Sequence, residues 1–335
     1  HTHTHTHTAH TVRMEHVHHV ALPQKPIGFQ GVLSALAYGL CSIGLVIFNK
    51  RLLLVSGEPE HVYLLFFVQS LFSVVILSIG KHFEIVSYPD VEVRFIKQML
   101  PTAVCFLGSA FFSLVALGRL SLSTYSILKR TGLISVMILE TVLLRRRFSI
   151  RVQLSVLLVG TGAVLISFSD LAFDTIGCVC ALLAMICKAL NLVWVSHTGR
   201  YVSTSGIIFF GALISLPILL GLVLITDDLS ELVHSLGEWP SGTTTLVVLV
   251  FTMEGVVIQA VQYLCIIQTS PLTTTVVGQL KSPALALTGA LVFGELTGAS
   301  VGMYTGHMLS VCGGILYSMF RYWEILEKDT APSVV

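Results

Sequence analysis

From about residue 27 to residue 320 the chain is a nearly continuous series of apolar stretches, each close to twenty residues long and separated by short polar breaks. A helix needs about 20 mostly apolar residues to cross the hydrocarbon core of a bilayer. The stretches fall near 27–48, 60–80, 98–117, 121–143, 150–169, 174–196, 205–226, 244–268, 271–294 and 300–320. They predict an all-α polytopic membrane protein with ten transmembrane helices, and the loops are too short for a second folded unit. Composition agrees, because only 11% of the residues are charged, against roughly a quarter in a soluble domain. The alternation expected of barrel strands is missing. Seven cysteines (41, 105, 178, 180, 187, 265, 312) lie inside the apolar stretches with no CxxC or metal-ligand spacing, and they read as small core residues. A net charge of +1 leaves no electrostatic footprint for nucleic acid.

Residues 1–26 hold eight of the thirteen histidines, the first four of them alternating with threonine. No apolar run follows the start, so the segment is not read as a secretory signal. It suits a disordered tail, although a histidine tract can also bind metal. Ten spans put both tails on one side. That side carries Arg13, Lys25, Lys81, Arg94, Lys97, Arg145, Arg146, Arg147, Arg151, Arg200, Arg321 and Lys328, whereas the other carries Lys50, Arg51 and Arg119 beside acids such as Asp170, Asp174 and Asp227. The positive-inside rule then places both termini, 1–26 and 323–335, in the cytosol. Topology alone is a sufficient reading of the RRRFSIR loop at 145–151.

Two segments about 150 residues apart resemble each other: SLSTYSILKRTG (121–132) and SPLTTTVVGQLKSP (270–283). In the next span of each half, GAVLIS (162–167) matches GGILYS (313–318). Residues 27–322 therefore divide into two copies of five spans, about 27–170 and about 174–322. An odd number of spans forces the second copy to enter the membrane from the opposite face, giving two inverted five-helix repeats. Lys129 and Lys281 lie some eight and ten residues into their spans, about 12–15 Å deep at 1.5 Å per residue. Entering from opposite faces, they approach the midplane together.

A lysine in mid-membrane costs roughly 2.5–3.5 kcal/mol on insertion scales, which makes it a candidate binding group. An anionic ligand, phosphate above all, would satisfy two such ammonium groups. The alternatives are a structural ion pair with Glu140 or Glu254, the deep carboxylates, or lysines snorkelling to an interface. Gly278 and Pro283 bracket Lys281 and are expected to loosen the helix there. Thr273, Thr274 and Thr275 precede it by about two turns and offer hydroxyls to a sugar or ribose. Threonines in helices also commonly bond the preceding turn's carbonyl.

These residues resemble the nucleotide-sugar transporters of the drug/metabolite transporter superfamily. The matching pieces are FNKRLLL (48–54), YSILKRTG (125–132), LETVLL (139–144), SDLAF (169–173) and TTTVVGQLKSPALALTG (273–289). The last looks like the family's nucleotide-binding GxxK segment, here Gly278, Gln279, Leu280 and Lys281. The subgroup of UDP-sugar and GDP-mannose carriers is the most similar. The resemblance implies a multi-pass Golgi or endoplasmic reticulum membrane protein that imports a cytosolic nucleotide sugar in exchange for nucleoside monophosphate. It assigns phosphate binding to Lys281 with a matching role for Lys129, and places Tyr125 and Asn191 at the cavity. Tyr317, in GGILYS, is a further candidate. GDP-mannose carriers read guanine with a Phe-Tyr-Asn-Asn element in span 7, where this chain has Phe209, Phe210, Gly211 and Ala212. The missing asparagines favour a UDP-sugar over GDP-mannose, and the Gln279 amide suits a uracil or a sugar hydroxyl.

The resulting expectation is a nucleotide-sugar antiporter with no cofactor and no metal. A homodimer is compatible with such a fold. A GDP-sugar carrier and a phosphorylated-sugar translocator of the same superfamily are the alternatives. An intramembrane enzyme would need paired aspartates or clustered metal ligands, whereas Asp170 and Asp174 lie at a loop and His197 and His307 are isolated.

Overall fold

The structure, a computed structural model, describes residues 29–56, 62–120, 122–166, 174–225, 242–280 and 301–330. They form α1 (Phe29–Ser56), α2 (Val62–His82), α3 (Val93–Leu117), α4 (Leu122–Leu143), α5 (Ile150–Ile166), α6 (Thr175–Thr198), α7 (Thr204–Ile225), α8 (Gly242–Gln268), α9 (271–280) and α10 (Val301–Thr330). Three elements clearly outrun the sequence reading, the first being α1, which continues past 48 to Ser56 through Lys50 and Arg51. Helix α3 begins at Val93 instead of near 98, taking in Arg94 and Lys97, and α10 continues past 320 to Thr330 through Arg321 and Glu324. Charges at a membrane face can solvate while the backbone stays helical, so hydropathy marks the end of the span and not of the helix.

Short polar side chains start several helices by accepting otherwise unpaired N–H groups. Asp174 accepts from Gly177 N, Ser203 Oγ from Gly206 N, and Ser270 Oγ from Thr273 N, at 3.0, 3.3 and 3.1 Å. At the end of α4 the chain turns through Arg145 at φ 50°, a left-handed position normally given to glycine. The N–H of Arg146 then closes on Glu140 O at 3.4 Å. This turn points Arg146 inward while Arg145 and Arg147 point out.

Three of the described helical stretches, Val93–Ala116, Thr175–Thr198 and Thr204–Ile225, are long and apolar enough to cross a membrane by length and composition, and four shorter ones are apolar. The outward faces carry Leu36, Leu40, Val142, Leu154, Ile186 and Leu224, all exposed. A polytopic membrane protein explains such a surface, because lipid rather than water covers it and the helices satisfy their own backbone groups. The seven cysteines are free; Cys265 is buried, Cys312 exposed, and the rest half-buried.

Helix α5 packs along α10, α3 along α6, α2 against α7, α1 along α8, and α3 and α2 against α7 and α8 respectively. The α5–α10 crossing is held by small residues. A Cβ on Gly162 would lie 2.6 Å from Gly306 O and 2.7 Å from Ser310 N, and one on Gly313 would lie 2.8 Å from Val159 N and 3.1 Å from Ser155 O. Backbones approach this closely only where side chains are small.

Candidate functional site

Polar side chains gather where α2, α3, α7 and α8 meet. A space of about 20 Å³, the size of one water, is lined by Gln69, Ser73, Thr102, Ser215, Gln259 and Tyr263, with Gly211 and Ala212 completing the wall. Ser73, Thr102 and Gln259 each stand nine residues from the end of their helix at the face bearing the basic loops, and Ser215 eleven. At 1.5 Å per residue that is about 14–17 Å deep, the middle of a bilayer.

The hydrogen bonds in this pocket are incomplete. Ser73 Oγ and Ser215 Oγ donate to carbonyls of their own helices, Gln69 O and Gly211 O, at 2.7 Å each. Gln259 Nε2 donates to Tyr263 Oη at 3.1 Å. Asn191, fully buried on α6, donates from Nδ2 to Thr102 O at 2.9 Å. Among the described residues Thr102 Oγ1 has no partner, and Asn191 Oδ1 has none of acceptable geometry although Tyr263 lies beside it. A buried unpaired polar atom costs about 1–3 kcal/mol. A ligand's donors and acceptors could relieve that cost.

The sequence-derived candidates fall into separate groups. Asn191 stands behind the central pocket, bonded to the backbone of its lining residue Thr102. Thr273 and Tyr317 meet, Oγ1 to Oη at 2.9 Å, on the wall of a groove of about 500 Å³ between α1, α9 and α10. That groove faces outward, since Val32, Leu36 and Leu40 on its rim are exposed. Thr274 donates to Ser270 O at 3.0 Å and Thr275 to Pro271 O at 2.8 Å. Both hydroxyls thus take the bond within their own helix that competes with ligand contact. Gly278 lies under Tyr38 of α1, where a Cβ would sit 3.3 Å from the hydroxyl, and Gln279 is half-buried one residue on. Tyr125 is buried beside Leu120 and Ala181, while Lys129 is exposed with Nζ 5.6 Å from the Tyr125 ring. Lys281 and Pro283 lie outside the described residues, so the expected meeting of the two lysines does too.

The reading of the 145–151 loop as topology alone is corrected. Arg146 is 7% exposed and pairs with Glu140, which is 0% exposed. Glu140 Oε2 also accepts Leu272 N–H, in the first turn of α9, at 3.0 Å. The carboxylate near the end of α4 is therefore matched, among the described residues, to an arginine six residues on. Sequence reasoning also passed over Gln69, Ser73, Thr102 and Gln259. Their signal was present as polar residues in otherwise apolar spans, and for Thr102 the preceding Pro101 inside the helix.

A lipid-facing helical bundle with an incompletely satisfied polar pocket at mid-depth is the architecture of a membrane carrier. The chain belongs to the triose-phosphate transporter family, whose model matches residues 30–318; its kin are transporters and not enzymes. It is similar to the nucleotide sugar transporter SLC35D2 of Homo sapiens, 29% identical over 293 residues that cover 86% of this chain and 85% of that protein. It is also similar to UDP-galactose/UDP-glucose transporter 7 of Arabidopsis thaliana, 26% identical over 312 residues covering 92% and 95% of the two chains. A crystal structure shares the fold with a TM-score of 0.61 at 17% identity, over 87% of this chain and 98% of that one.

Proposed function

We propose that the chain is a nucleotide-sugar antiporter of the Golgi or endoplasmic reticulum membrane, carrying a UDP-sugar inward from the cytosol in exchange for nucleoside monophosphate. The observation that carries this reading is the mid-depth polar pocket with the unpartnered Thr102 Oγ1 in its wall, in a chain whose relatives are named for nucleotide sugars. Gly211 and Ala212 line that pocket, so the span 7 stretch of the family resemblance faces it. Amides and hydroxyls from α2, α3 and α8 stand around it in place of the two asparagines of GDP-mannose carriers. This supports uracil over guanine.

Ten spans in two inverted repeats fit the helix packing. Under an exchange of each helix with the one five places on, α3–α6 becomes α8–α1, α3–α7 becomes α8–α2, and α2–α7 and α5–α10 return to themselves; all of these pairs pack together. Displacing Ser155, Val159 and Gly162 by 151 residues gives Gly306, Ser310 and Gly313, the groups that meet them across the α5–α10 crossing. Lys129 and Lys281 are the proposed phosphate ligands, and the two halves rock about the bound diphosphate. An empty chamber with two unneutralised ammonium groups closes at high cost, which favours obligate exchange.

The test is counterflow in proteoliposomes with UDP-, GDP- and CMP-sugars, run for the parent chain, Lys281→Ala and Lys129→Ala. We expect UDP-sugar uptake that requires internal UMP and is lost in both variants. Uptake of equal rate into vesicles without nucleotide would overturn the antiport reading. Phosphorylated-sugar transport is the second reading, favoured by the family model itself; insensitivity to nucleoside monophosphates together with uptake of a sugar phosphate would establish it instead.

A further inference from the structure

Three charged groups, Glu140, Arg146 and Arg321, are buried at the end of the bundle that carries the basic loops, and a fourth, Glu324, is half-buried there. Glu140 on α4 is shared between the Arg146 guanidinium and the Leu272 N–H of α9. Nearby, Glu324 on α10 accepts the Ser149 N–H that opens α5 at 2.9 Å and Arg321 Nη1 at 2.8 Å. The two backbone contacts cross between the five-span units, Leu272 N–H to Glu140 joining α9 to α4 and Ser149 N–H to Glu324 joining α5 to α10, while each arginine holds its carboxylate from within the same half. Tyr88 stacked on Phe209 at 4.5 Å and Ser203 Oγ bonded to Ser87 O at 2.6 Å shut the same end.

A seam meant to stay shut is held more cheaply by apolar side chains than by a desolvated ion pair. Charged groups have one property apolar ones lack: when the seam parts, water solvates them. Ser270 already caps Thr273 N–H, so Glu140 supplies a separate acceptor for the first turn of α9. On these grounds, and resting on the carrier reading above, we propose that Glu140 is a positioning residue that works with Arg146 as a releasable clasp. It seats the start of α9, the helix that carries Gly278 and leads to Lys281, against α4 while the basic end is shut. It lets go when that end opens.

The test uses the full chain in proteoliposomes with six cysteines replaced by serine and Cys265 kept. Cys265 is buried between α8 and α9 near this end, its Sγ 3.3 Å from Thr274 Oγ1. An impermeant thiol reagent is added on the basic side. The double variant Glu140→Met with Arg146→Met removes both charges together, so neither is left buried alone, and takes away the acceptor by which α4 holds Leu272 N–H of α9. We expect labelling of Cys265 to rise at least about fivefold, the lower end of usual coupling between conformational states, at a Tm near the parent's. Because apparent affinity scales with the fraction of competent protein, KM should fall for substrate supplied on the basic side and rise for substrate supplied on the other. Parent-like labelling overturns the proposal, and so does faster labelling that merely tracks a lower Tm while both KM values stay put. If the parent shows no nucleotide-sugar counterflow, the carrier reading fails, while the labelling arm still decides the clasp.

Discussion

The α5–α10 crossing and the central pocket lie at similar depth, and they are built on opposite principles. At the crossing, Gly162 and Gly313 let backbones touch, and Ser155 Oγ is spent on Val152 O at 2.7 Å. In the pocket, Thr102 Oγ1 is left without a partner among the described residues, beside a small space. A region that must hold has its polar groups satisfied and its surfaces in contact. One that must bind and release keeps hydrogen-bonding capacity in reserve.

The largest way to break this contrast is to fill the crossing. Gly162→Leu would drive a side chain into Gly306 and Ser310, whose backbone atoms stand within 2.8 Å of a Cβ. We expect a loss of about 3 kcal/mol or more, the upper range for overpacking where backbone cannot yield. Thermal unfolding in detergent and the monodisperse fraction by size exclusion would report it. An unchanged Tm would mean that the two helices are not held there.

The pocket should respond in the opposite sense. Thr102→Val keeps the shape and removes a bare hydroxyl, so stability should rise by about 1 kcal/mol while UDP-sugar counterflow falls about tenfold, a loss equivalent to ~1.4 kcal/mol of binding. Ser155→Ala at the crossing is the matched control and should leave counterflow near the parent rate. Equal effects on transport from the two changes would erase the distinction.

Much of this was legible in the sequence. Apolar runs near twenty residues located the helices because the bilayer fixes their length, and the offset between GAVLIS and GGILYS is the offset across the α5–α10 crossing. The site was less legible, for two physical reasons. Hydroxyl groups near Lys281 looked alike in sequence, yet helix geometry turns Thr274 and Thr275 back on their own carbonyls and sends Thr273 across to the buried Tyr317 of α10. The polar residues that do converge, Gln69, Thr102, Gln259 and Asn191, come from four helices. Only packing brings them together. Arg146 resembled its neighbours in charge and differs because the left-handed turn at Arg145 reverses its direction.

That turn gives a smaller test. Arg145→Gly relieves an L-residue in the left-handed region, which costs roughly 1–2 kcal/mol, so we expect a stabilisation of about 1 kcal/mol once the greater freedom of glycine in the unfolded chain is offset. Unfolding midpoints would show it. A loss of stability would mean that Arg145's outward charge outweighs the strain.

The smallest expected effect lies in the segment that covers the pocket's basic end. Lys81 Nζ sits 2.6 Å from Asp90 Oδ1 and 4.6 Å from the Tyr88 ring centroid, and Tyr88 stacks on Phe209, two residues before Gly211. The hydrogen bond and charge of Lys81 hold the Asp90 carboxyl below its usual range. A carboxyl whose folded pKa is depressed contributes stability above its unfolded pKa and loses it as pH falls through the folded value. The contribution should therefore be present at pH 6 and fade below about pH 4, the ordinary range for an aspartate. Asp90 is fully exposed, so solvent screens the pair and the effect is slight. Melting curves of the parent and Asp90→Asn should differ a little at pH 6 and draw together as the pH falls below the ordinary aspartate range, because protonation makes the parent resemble the variant. A gap that persists in acid would assign the order of this segment to the Tyr88–Phe209 stack instead, and with it the closure over the pocket.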